Sequence, residues 1–91
     1  MVGDMLGLDI EAVREMANVL RQQAEEVRST VQDITAQLSE TEWMGPDADQ
    51  FEDEWTNTHA AKLNEIASAL ENFAGTAEAN AAEQEGTSSS L

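Results

Sequence analysis

Between Ile10 and Leu38 the apolar residues fall at Ile10, Val13, Ala17, Leu20, Ala24, Val27, Val31, Ile34 and Leu38, alternating steps of three and four without a break. That spacing is a heptad seam, which places a helix lengthwise along another helix at a shallow crossing angle. With Asp9 as N-cap the segment runs to Thr41, about 50 Å at ~1.5 Å per residue and long for a globular helix. A rod with one apolar stripe needs a second rod beside it.

The second rod follows a break at Trp43-Met44-Gly45-Pro46-Asp47. Gly45 suits the backbone angles of a cap, and Pro46, lacking an N–H, fits the first helical position. Asp47 and Asp49 then meet the positive end of the new helix dipole. From here the apolar positions are Ala48, Phe51, Trp55, His59, Leu63, Ile66, Leu70, Phe73 and Ala77. The steps of four between Phe51 and Leu63 amount to a slip in the heptad and predict local unwinding of any supercoil.

Folded about the turn at 43–46, the arms are expected to be antiparallel. Leu38 then meets Phe51, Ile34 meets Trp55, Val27 meets Leu63 and Leu20 meets Leu70. Ala24 faces Ile66 and Ala17 faces Phe73, the small-against-large alternation of interdigitated packing. The sequence therefore predicts an all-α chain with three parts: a flexible arm over 1–8, a helical hairpin over 9–83 and a disordered tail over 84–91.

A chain of 91 residues makes one small domain whose core is too slight to stand alone. Dimerisation of two hairpins into a four-helix bundle is the expected remedy. The seams are continuous enough to serve two copies, while a formal net charge of -15 repels a second copy and favours a less acidic partner. That charge, from 19 acidic residues against 4 basic ones, argues against nucleic acid and anionic membranes as ligands. The start Met1-Val2-Gly3-Asp4-Met5-Leu6-Gly7-Leu8 lacks the basic and long apolar regions of a cleaved signal. No stretch is apolar enough for direct membrane insertion.

Chemistry is sparsely signalled, and neither enzyme activity, a cofactor nor a metal is expected. With no cysteine, thiol catalysis and cysteine-rich zinc sites are excluded. His59 is the sole histidine and has Glu52 and Asp53 on earlier turns, but no second histidine or nucleophile stands at a useful spacing. Asp47 and Asp49 resemble the start of a calcium loop, yet Phe51 occupies the third ligand position. Glu52, Asp53 and Glu54 read as a solvated face. Arg14, Arg21 and Arg28 recur every seven residues beside the seam. They pair either across helices, where Glu65 and Glu71 flank the expected position of Arg21, or locally, as Arg21 with Glu25. Trp43 is either a recognition element or a plug for the open end of the hairpin.

Trp43 and Gly45, in a Trp-x-Gly turn between two helices of a chain this long, resemble the WXG family of type VII secretion substrates, the early secreted antigenic target type. The resemblance covers residues from about Ile10 to Ala82. It implies a hairpin that dimerises antiparallel, and it names Trp43 and Gly45 as the turn motif read in secretion. It further implies export without a cleaved signal peptide by a membrane ATPase of actinobacteria and related Gram-positive bacteria, with a cytoplasmic stage before release. The implied partners are a second copy or a second Trp-x-Gly protein, and the type VII secretion ATPase. The residues expected to form the hairpin and dimer seams are Val13, Leu20, Val27, Val31, Ile34, Leu38, Phe51, Trp55, Leu63, Ile66, Leu70 and Phe73. One departure stands out: family members with their own export signal carry a Tyr after the second helix and an acid four residues later, and this chain has no Tyr. The alternative reading is a helical adaptor or chaperone-like module that stays inside the cell.

Overall fold

The computed structural model describes residues 9–41 and 45–90, with 87–90 described by backbone alone. Residues 1–8, Trp43 and Met44 lie outside the described residues. Within them the fold is all-α. Helix α1 spans Ile10–Glu40, α2 spans Pro46–Glu54, a π-helical turn spans Trp55–His59, and α3 spans Ala60–Ser90.

Local chemistry sets the ends. The Asp9 carboxylate accepts the Ala12 N–H at 3.1 Å, satisfying one of the orphan donors at the start of α1. At the other end Thr41 turns extended, and both its N–H (3.0 Å) and its hydroxyl (2.6 Å) donate to the Gln37 carbonyl. Gly45 caps α2 with φ 113° and ψ 170°, a region open in practice only to glycine. Pro46 takes the first helical position, with Asp47 and Asp49 in the first turn.

From Pro46 to Ser90 the backbone stays helical without interruption. At ~1.5 Å per residue this arm is about 67 Å long, and it accounts for the long dimension of a molecule measuring 68 × 19 × 17 Å. The radius of gyration, 20.1 Å, far exceeds the ~12 Å of a compact chain of this length. Helix therefore continues beyond Glu83, through residues where the sequence predicts a tail. The composition Ala-Ala-Glu-Gln-Glu favours helix there, and Glu85 is tied back to Arg14.

Along their lengths α1 and α3 pack on each other in opposite directions, since Arg14, Arg21 and Arg28 bond to Glu85, Glu78 and Glu71 in reverse order. The buried residues between them are small: Ala17, Ala24 and Val31 on α1; Ala60, Ala67, Ala74, Ala77 and Ala81 on α3. None of the larger side chains is fully buried among the described residues. Methyl-sized contacts allow two helix axes to approach closely.

The α1 stripe follows the predicted seam, with Ile10, Val13, Leu20, Val27 and Leu38 half-buried and Ile34 near the exposed limit. The α3 stripe does not. Leu63 and Leu70 are half-buried on it, but Ile66 and Phe73 are 51% and 57% exposed, and Ala67 and Ala74 occupy the inner positions. The reason is the π-helical turn, in which the Ala60 N–H reaches back five residues to the Trp55 carbonyl. One extra residue enters that turn, so the inner face resumes at Ala60 instead of His59. Every later inner position moves accordingly, from Ile66 to Ala67 and from Phe73 to Ala74.

Candidate partner-binding face

Neighbouring residues on a helix point about 100° apart, so Val27 and Arg28 look toward opposite edges of the contact between the arms. The Arg28 edge is polar. Arg28 forms a two-point pair with Glu71 at 2.7 Å for each bond, and Arg21 forms another with Glu78, its Nη1 at 2.7 Å. Arg14 reaches Glu85 through one bond of 3.0 Å. Thr35 extends the arginine column by one more heptad, and its hydroxyl accepts the Trp55 indole N–H at 3.0 Å. Four cross-arm ties thus stand in line.

Side-chain hydrogen bonds from the arginines hold the Glu71 and Glu78 carboxyls below the ordinary glutamate value. By the same bonds Arg21 and Arg28 are raised above theirs. All of these groups keep a third or more of their side-chain surface in water, or close to it. Water and salt screen such pairs, so their main effect is to fix which residues face each other. The arginines accordingly pair within one chain, with acids other than Glu65; Arg28 also lies 3.8 Å from Glu25.

The Val27 edge is apolar and grooved. Val27 meets Leu63 in one shallow groove rimmed by Gln23, Glu26 and Thr30. Val13 and Met16 meet Phe73 and Ala77 in another, rimmed by Thr76 and Asn80. Met16 is 42% exposed there, and Val19 and Ile66 lie more than half open. Hydrophobic side chains lined along one edge over several turns mark a contact surface. Sequence periodicity assigned Ile66 and Phe73 to the arm-to-arm seam; the alanines that take those places carry no strong apolar signal of their own.

The other predicted residues lie near the turn. Gly45 caps α2, whereas Trp43 falls outside the described residues. Val31 is buried, and Leu38 and half-buried Trp55 border a cleft with Thr35 and Glu52. Phe51 is 49% exposed. His59 is exposed, its ring 6.4 Å from that of Trp55. Asp49, Glu52 and Asp53 line an open acidic surface with Thr56 and Asn57, and no group of three or more potential ligands among the described residues is placed to hold a metal ion. No helix among them is long and apolar enough to cross a membrane.

The arrangement defines a class: two long helical arms with a small-residue seam, one edge tied by ions and the other left apolar. No family model, curated protein or solved structure matches the chain.

Proposed function

We propose that this chain is a WXG-type substrate of type VII secretion, or the partner of such a substrate, acting through protein contact and not by catalysis. In this reading the two arms form a helical hairpin that pairs with a second hairpin into a four-helix bundle. The bundle assembles in the cytoplasm and is exported without a cleaved signal. The observation that carries the reading is the apolar edge of Met16, Val27, Leu63, Ile66 and Phe73, which remains outward after the arms have closed on alanine. A bundle buries such an edge. The Trp43–Gly45 turn supports the secretion part, because Gly45 and Pro46 begin the second arm as that motif requires.

Secretion from a host with a working type VII machine tests it, scored with and without a co-expressed partner bearing the Tyr signal. The wild type should be exported, at least with that partner. Trp43→Ala should lower export while leaving the helical content unchanged. Retention of the wild type under both conditions would favour a helical adaptor that stays inside.

A further inference from the structure

We infer that the apolar edge receives a helical partner whose rim is cationic, and not a second copy of this chain. This inference rests on the bundle reading above and specifies the chemistry of the second hairpin.

The argument begins with where the positive charge goes. The chain has 4 basic residues against 19 acidic ones. Arg14, Arg21 and Arg28 are all committed to Glu85, Glu78 and Glu71 on the polar edge. Only Lys62 remains without an ion pair among the described basic residues. The cations that would offset a neighbour's acids are therefore turned away from the apolar edge.

The rim of that edge is acidic along α1. Glu26 lines the groove beside Val27 and Leu63. Asp33 follows it by one heptad, and Glu15 precedes it by three helical turns, which brings both to the same side of α1. All three are exposed. On α3 the corresponding outward column is Lys62, Ala69 and Thr76, with one charge in three positions. A second copy would bring the same acidic rim and the same net charge of -15. Like charges at the border of an apolar contact oppose association, whereas a cationic rim speeds and selects it. The grooves run from the level of Val13 to that of Val27, so the occupant is a helix of at least about four turns.

The test mixes the full chain with a charge-inverted copy carrying Glu15→Lys, Glu26→Lys and Asp33→Lys, followed by sedimentation at low and high salt. At low salt the mixed pair should form at least about tenfold more tightly than the wild type pairs with itself, and salt should weaken the mixed pair while strengthening self-association. Equal affinity of the wild type for itself, or a mixed pair indifferent to salt, overturns the inference. Should the inverted chain fail to fold, Glu15→Gln, Glu26→Gln and Asp33→Gln in the wild type must raise self-association, and no change overturns the inference equally. A tight wild-type homodimer at low salt rejects the cationic partner yet leaves the bundle standing. No association in any mixture of folded chains rejects both. Phe73→Asp, checked for unchanged helicity, should abolish capture of the inverted chain, and retained capture overturns the docking edge.

Discussion

At the scale of single residues, two glycines with equally open surroundings respond oppositely to alanine. A Cβ built on Gly45 or on Gly75 meets nothing within 4 Å, so crowding decides neither. Backbone angle decides both. Gly45 has φ 113°, and Gly45→Ala should lower stability by about 1–3 kcal/mol through strain alone. Gly75 lies inside α3, where Gly75→Ala should raise stability by about 0.5–1 kcal/mol. Thermal melts of the two variants check the pair, and a loss of stability in both would show that the Gly75 site is not plain helix.

At the scale of elements, the π-helical turn over Trp55–His59 determines which side chains face inward. Deleting Asn57 removes the extra residue and should restore ordinary α geometry, turning α3 by about 100° relative to α2. The deletion would carry Ile66 and Phe73 toward α1 and break the alignment of Arg28 with Glu71. A double-mutant cycle on Arg28 and Glu71 measures this: coupling present in the wild type should vanish in the deletion. Coupling that survived would show that the turn does not set the facing residues.

The same turn marks the limit of what the sequence reveals. Asp9, Gly45, Pro46, Asp47 and Asp49 were legible because capping chemistry is local, and the α1 seam was legible because its period never breaks. The slip near Trp55 was also visible as a run of fours. Its direction was not, because the pattern alone favours bulky Ile66 and Phe73 over Ala67 and Ala74 for the inner face. The glutamates chosen by Arg14, Arg21 and Arg28 depended on that outcome and so could not be read beforehand.

At the scale of the whole molecule, the ion-pair column gives stability a pH dependence of known sign. Glu71 and Glu78 titrate below the ordinary 4.5 in the folded chain. A carboxylate with a depressed folded value contributes stability that is fully present above the unfolded value and is lost as pH falls through the folded one. The melting difference between the wild type and Glu71→Gln with Glu78→Gln should thus be full above pH 4.5 and vanish in stronger acid. A difference that grew on acidification would contradict the assignment. One further property follows from the alanines at Ala17 and Ala24 on one arm and at Ala60, Ala67, Ala74 and Ala81 on the other. Because methyls recur every seven residues on both arms, one arm can slide past the other by a heptad and meet nearly the same hydrocarbon. Packing alone is almost indifferent to that translation. The arginine column is not, since a slide by one heptad strands an arginine and a glutamate and parts Trp55 from Thr35. In this rod the greasy contact holds the arms together, and the wet edge tells them where to stop.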